Sequence, residues 1–421
     1  MAHSRNRLVD ALVWSTLEWS PVVGVFGLRQ VGKTTLVEKI TKKKGGTYET
    51  FDRETPLQIS KEKPVQFLSH PQLFCIDEAQ KAPWIFPVIK DLVGTKRKPG
   101  QFLLTGSVRF TLKKDIQESL TGRIVTHELL PFTVSEAHQK APSVFLEKVF
   151  DMVSTTKGQL HTKYLLLESL VNSLRHTTPQ SLGQHLMLGG LPVPCFSRDA
   201  QKRKFWFESY YETLLGRDIL LVEPSLKSVS FSQGMAFLKE LALFQGEDIS
   251  LSRLCSKSTM RLSKGKDFLL ALEALALVDL VPPEIRTEKS MRKPKVEWKD
   301  VGLWSFLSQQ SGETIIHNSQ AVSLLLACEF RNQKQMLKHK MEWSYFKSRE
   351  GSLIPWIFKM NAKTIVINYL ALENPTAYDF RTLKKIVSET KNSLGIVLGP
   401  EKTKPFVLDE KIILLPWTLV F

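Results

Sequence analysis

A chain of 421 residues is too long for one hydrophobic core, so two to four domains are expected. Its 43% hydrophobic and 24% charged residues are ordinary globular composition, but a net charge of +16 favours a polyanionic partner, nucleic acid first and an anionic membrane surface second. Four cysteines with no C-x-x-C pair argue against a zinc site or a disulfide framework and point to a reducing cytoplasm. No apolar run approaches the length of a membrane span, so no membrane partner is expected. The opening MAHSRNRLVDALVW reads as an amphipathic helix with interleaved charges, not a signal peptide.

Strand-like and helix-like patterns then alternate. PVVGVF is a short buried strand, and TTLVEKITKKK is a helix with Leu36, Val37 and Ile40 on one face and lysines at its end, where the helix dipole favours cations. TYETF and QLFCI are the next strands. PWIFPVIKDLV is a helix, and QFLLT and RIVTHEL are further strands. This order predicts an α/β core, a parallel sheet with helices on both faces.

Gly27 to Thr34 matches G-x-x-x-x-G-K-[ST] between the first strand and its helix. Glycines let backbone amides wrap a phosphate chain, and the helix N-terminus adds partial positive charge. The predicted ATP contacts are Gly27, Arg29, Gln30, Val31, Gly32, Lys33, Thr34 and Thr35. Lys33 serves as a point charge on the outer phosphates, and the Thr34 hydroxyl ligates Mg²⁺. LFCIDEAQ is an apolar strand ending in two acids: Asp77 to hold the Mg²⁺ and Glu78 to polarise the attacking water. Capping of the next helix is the plainer alternative for those acids. QFLLTGS places Thr105 or Ser107 beside the γ-phosphate and the water.

GLRQVGKTTL, LFCIDEAQKAP, GQFLLTGSVRF, ESLTGRI and LLPFTVSEA together resemble a group of prokaryotic AAA-type ATPases that carry a C-terminal domain of uncharacterised function. The resemblance implies the additional-strand P-loop fold, in which the phosphate-loop strand and the Asp-Glu strand flank the strand ending in Thr105 to Ser107. It also implies self-association into an oligomer, with Arg123 reaching a neighbouring subunit's nucleotide as an arginine finger in trans. An internal salt bridge is the competing role for Arg123, and Arg109 and Arg217 are lesser candidates for the finger.

These readings divide the chain into an AAA+ P-loop ATPase core at 1–136, a helical lid and connector at 137–228, a winged-helix domain at 229–310 and a degenerate restriction-endonuclease-like α/β domain at 311–421. In the second region the stripe Trp206, Phe207, Tyr210 and Tyr211 reads as core. In the third, MAFLKELALF, ISLSRLCSKS and a helix capped by Ser263 precede a strand and a basic hairpin. Lys264 and Lys266 on the third helix, with Arg292, Lys293 and Lys295 in the hairpin, are the candidate contacts to duplex or branched DNA. In the last region Leu353, Pro355, Val366, Asn368 and His317 stand where the relatives carry acids and a lysine, so nuclease activity is not expected. A basic run, Arg331, Lys334, Lys338, Lys340, Lys347 and Arg349, remains as a phosphate-backbone contact. The function expected is an ATP-hydrolysing protein that remodels or moves on DNA. The alternative is a nucleotide-dependent switch or scaffold that binds a protein partner through the last two domains.

Overall fold

The computed structural model describes residues 5–95, 97–108, 120–155, 160–174, 179–284, 293–308, 319–348, 350–372 and 374–421. The chain forms two compact units, each assembled from separated stretches. The first takes residues 1–131, 191–231 and 263–277, and the second the remainder.

In the first unit, helix α1 (Leu8–Leu17) precedes strand β1 (Val22–Phe26), the phosphate loop and helix α2 (Lys33–Lys44). Four more strands follow: β2 (Thr47–Thr50), β3 (Phe74–Asp77), β4 (Phe102–Gly106) and β5 (Ile124–Glu128). They form one five-stranded sheet in the order β2-β3-β4-β1-β5, and every pairing is parallel. β3 and β4 are fully buried, which is why they read as unbroken apolar runs rather than alternating ones. Phe74, Ile76, Phe86, Ile89, Phe102 and Leu104 belong to the core on one face of this sheet. Strand β4, which contains Thr105, lies between the phosphate-loop strand and the Asp-Glu strand, the order expected of an additional-strand P-loop fold.

Two backbone features position the loop. Gly27 has φ +153°, and a Cβ there would lie 2.2 Å from the Leu129 carbonyl oxygen, so only glycine lets the loop leave β1 against this neighbour. Gly32, at φ +105°, then turns the chain into α2.

In the second unit, strands β6 (Val278–Val281) and β7 (Lys295–Trp298) pair antiparallel. Strands β8 (Glu342–Lys347), β9 (Leu353–Met360), β10 (Lys363–Tyr369), β11 (Ser393–Gly399), β12 (Phe406–Asp409) and β13 (Ile412–Pro416) form a mixed sheet in the order β12-β13-β11-β10-β9-β8. Leu353 and Pro355 lie on β9, and Val366 and Asn368 on β10; His317 lies outside the described residues. The three helices read as a winged-helix set run Phe231–Leu243, Leu251–Ser258 and Leu262–Ala274. Nearly all of the third is grouped with the first unit and the other two with the second. Ser263 falls inside the third helix rather than capping it, because the helix begins one residue earlier. Among the described residues no helix is long and apolar enough to cross a membrane.

Glu329, on the helix Ser319–Met336, is buried in the second unit. Burial pushes its carboxyl up to about 8; Gln333, which donates to it at 3.2 Å, opposes that shift, while the Glu136 carboxylate adds to it. A carboxyl raised in the folded state stays protonated where the unfolded chain has released the proton, so folding loses stability as pH rises between about 4.5 and about 8. Glu329→Gln removes that penalty. The thermal midpoints of variant and wild type should nearly coincide near pH 4.5 and separate in the variant's favour up to about pH 8, by an amount on the order of a few kcal/mol in unfolding free energy.

Candidate active site

The expected site residues of the core converge at the C-terminal ends of β1, β3 and β4. The buried Asp77 carboxylate is their hub. Its Oδ2 accepts hydrogen bonds from Thr34 Oγ1 at 2.8 Å and Tyr48 Oη at 3.0 Å, and its Oδ1 accepts from Thr105 Oγ1. One acid at the end of β3 thereby ties together the start of α2, the edge strand β2 and the end of β4. Tyr48 titrates well above its usual range, because burial and the neighbouring Asp77 charge both disfavour a phenolate.

Lys33 is 5% exposed, and its ammonium folds back on the loop, donating to the Gly27 and Leu28 carbonyls at 3.0 and 2.9 Å. Burial lowers its pKa below the usual lysine range, while Glu78 and Asp77 pull the other way. The cation is thus held by two consecutive backbone carbonyls of its own loop. Glu78 adopts φ +57°, uncommon for a non-glycine residue, and its amide donates to Thr105 Oγ1 at 3.1 Å. Its carboxylate accepts from Gln80 Nε2, which also donates to Ser107 Oγ at 3.2 Å. The 3₁₀ turn that follows Glu78, Ala79–Lys81, carries no side-chain cap bond, and the two carboxylates accept from Thr34, Tyr48, Thr105 and Gln80.

Two loop side chains are gripped from helix Ala200–Thr213 and the π-helical turn that continues it, Leu214–Asp218. Arg29 pairs with buried Asp218 at 3.2 Å, and Trp206 Nε1 donates to Gln30 Oε1 at 2.7 Å. Burial raises the Asp218 pKa, and Arg29 opposes the shift. Phe207, Tyr210 and Tyr211 are core, as the stripe suggested, whereas Trp206 is half-buried and serves the loop. Arg7 adds a third brace, donating to the Val31 carbonyl at 3.1 Å and to the Leu130 carbonyl. Tyr48, Gln80, Arg7, Trp206 and Asp218 carry roles that the motif reading missed. Gln80 alone had a local signal, two residues after Glu78 in DEAQ; the others depend on contacts far along the chain.

Thr34 and Asp77 offer a hydroxyl and a carboxylate, hard oxygen donors that suit Mg²⁺, where the glycine-rich loop enters α2. Val31 and Gly32 lie in the loop turn, and Thr35 is exposed on the first turn of α2. Arg123 is half-buried just before edge strand β5, donating to the Thr121 carbonyl at 3.4 Å. Arg217 is exposed, and Arg109 lies outside the described residues.

Residues 20–138 match the family model of an AAA domain, the span that carries this loop, these acids and the sheet. The N-terminal sheet matches a P-loop ATPase core. Residues 179–314 match a domain of unknown function, DUF8612. Two curated relatives, the uncharacterized proteins Mb2031c of Mycobacterium bovis and Rv2008c of Mycobacterium tuberculosis, are each 28% identical over 293 residues, 68% of this chain and 56% of theirs. The chain therefore spans just over half the length of those relatives. Among solved structures, the Walker-type ATPase PABY2304 of Pyrococcus abyssi aligns at 14% identity and TM-score 0.41 over 71% of this chain and 94% of its own. A RuvB variant of Thermotoga maritima aligns at 15% identity and TM-score 0.31, over 65% and 89%.

The proposed DNA contacts fare unevenly. Lys266 and Lys293 are exposed, and Lys264 is half-buried, donating to the Ser225 carbonyl at 2.7 Å. Arg292 lies outside the described residues. Lys295 is a correction: it is fully buried, its ammonium engaged by Glu297 and by the Pro355 carbonyl at 2.8 Å, so it cannot meet a phosphate backbone. Arg331 and Lys347 are corrected likewise. Arg331 is buried between Asp279 at 2.7 Å and Glu297 at 3.0 Å, and Lys347 pairs with Glu247 at 2.7 Å and with Asp248. Lys338 and Lys340 remain exposed, Lys334 is half-buried, and Arg349 lies outside the described residues.

ATP should raise the thermal midpoint of the wild type, and Lys33→Ala should abolish that rise while leaving the fold intact by circular dichroism. At 100-fold saturation that rise corresponds to about 2.7 kcal/mol.

Proposed function

We propose that the chain is an ATP-hydrolysing, oligomeric AAA+ protein that couples hydrolysis to remodelling of, or movement on, DNA, duplex or branched. The observation that carries the ATPase half is the Asp77 hub, which gathers Thr34, Thr105 and Tyr48 around one carboxylate beside the buried Lys33. Lys33 and the loop amides bind the phosphates and offset the charge that builds on the γ-phosphoryl group. Mg²⁺, when held by Thr34 and Asp77, supplies further charge neutralisation on the phosphate oxygens. The Glu78 carboxylate takes a proton from water as its oxygen attacks the γ-phosphorus. The bond from that phosphorus to the bridging oxygen breaks, and ADP leaves with the electron pair. Arg123 supplies the arginine finger from a neighbouring subunit in the assembly this reading requires.

The DNA half rests on the +16 charge and on the exposed Lys266, Lys293, Lys338 and Lys340. Its support is narrower than the sequence suggested, because Lys295, Arg331 and Lys347 are consumed by internal ion pairs. That burial favours the second reading, in which the chain is a nucleotide-dependent switch or scaffold and the later regions hold a protein.

ATP turnover measured with linear, single-stranded and four-way DNA across a salt series separates the two. The first reading expects stimulation by DNA that fades as salt rises; absence of DNA binding at low salt removes it. Lys266→Glu with Lys293→Glu should weaken DNA binding across sequences alike and shallow the log–log salt slope by about 2.

A further inference from the structure

Gln80 is unexplained by the phosphate-loop chemistry, yet it is 6% exposed and sits among the reacting groups. Both hydrogens of its amide are used: Nε2 donates to Glu78 Oε2 and, at 3.2 Å, to Ser107 Oγ. Its carbonyl oxygen Oε1 is buried with no hydrogen-bond partner. A buried acceptor left unanswered carries a desolvation cost of about 1–3 kcal/mol, which the two Nε2 bonds must offset. Reversing the amide would set Oε1 against the Glu78 carboxylate, so the assignment follows from charge.

We propose that Gln80 is a positioning residue for hydrolysis: one amide nitrogen holds the general base Glu78 and the γ-phosphate hydroxyl Ser107 at a common spacing, so that the carboxylate is aimed before the water arrives. The inference rests on the ATPase reading above and deepens it. Because Ser107 Oγ accepts from Gln80, its own proton is free for a phosphate oxygen. Because Glu78 Oε2 is occupied, Oε1 of the same carboxylate is the oxygen left for the water. The left-handed backbone at Glu78, pinned by its amide bond to Thr105, sets the base at a fixed height above the end of β4. Gln80 then fixes the direction in which its carboxylate points. A displacement of such a base by an ångström is worth orders of magnitude in rate without altering substrate binding.

The test uses the full chain carrying Gln80→Met, which keeps the volume and removes both donors and the acceptor. Gln80→Glu, which keeps the length but has no N–H, is the second variant should the first not fold. Expected is a fall in kcat of about tenfold or more, with affinity for a non-hydrolysable ATP analogue within about twofold of wild type. In single-turnover measurements Gln80→Met should add no further loss to Glu78→Gln, because it acts through that base. Three results overturn the proposal: wild-type kcat in the variant that folds, a parallel loss of analogue affinity, or an equal further loss in the Glu78→Gln background. Absence of ATP turnover in the wild type overturns the ATPase reading itself, and this inference with it.

Discussion

The nucleotide end of the first unit depends on one buried carboxylate. Asp77 is the last residue of β3, where the chain leaves the sheet core, and its two oxygens receive hydroxyls from α2, β2 and β4. A carboxylate out of water is costly unless several donors satisfy it, and three do so here. Those donors come from segments far apart in sequence, so satisfying the charge also sets the relative heights of the phosphate loop, the edge strand and the central strand that contains Thr105. The same arrangement brings the Glu78 and Asp77 carboxylates close enough to Lys33 to act on its ammonium. Stability and chemistry are thus met by the same three hydrogen bonds.

The loop is steadied from other directions by Arg7, by the Arg29–Asp218 pair and by Trp206 on Gln30. The π-helical turn at Leu214–Asp218 brings Asp218 onto Arg29. π-Turns are uncommon, and they recur where a side chain must be aimed at a functional group. In the second unit, charge has the opposite use. Lys295, Glu297, Arg331, Asp279 and Lys299 form a largely buried network around strands β6 and β7. Breaking one member would strand a buried partner, so these cations belong to the fold and not to a partner.

Much of the first unit was legible because its signals are local. Apolar runs such as LFCI mark buried parallel strands, G-x-x-x-x-G-K-T marks a strand-to-helix turn open to phosphate, and DE at a strand end marks acids at the edge of the core. Each is carried by a few consecutive residues whose types are dictated by backbone conformation or burial. The basic hairpin was less legible. KVEWKD alternates charged and apolar residues through Lys299 as a half-exposed strand would, yet every one of its residues is buried. The reason is that Arg331, Asp279 and the Pro355 carbonyl, distant in sequence, supply partners that let those charges leave water.

By itself, the amino-acid sequence determined the parallel sheet and the glycine-rich turn that leads from β1 into α2 near the acids ending β3, because steric and burial rules act over a handful of neighbours. Only the tertiary structure decided which lysines face solvent, which aromatic side chain serves the loop, and that Gln80 bridges Glu78 to Ser107. Those outcomes depend on which remote groups come within hydrogen-bond reach, and that is settled when the strands pack.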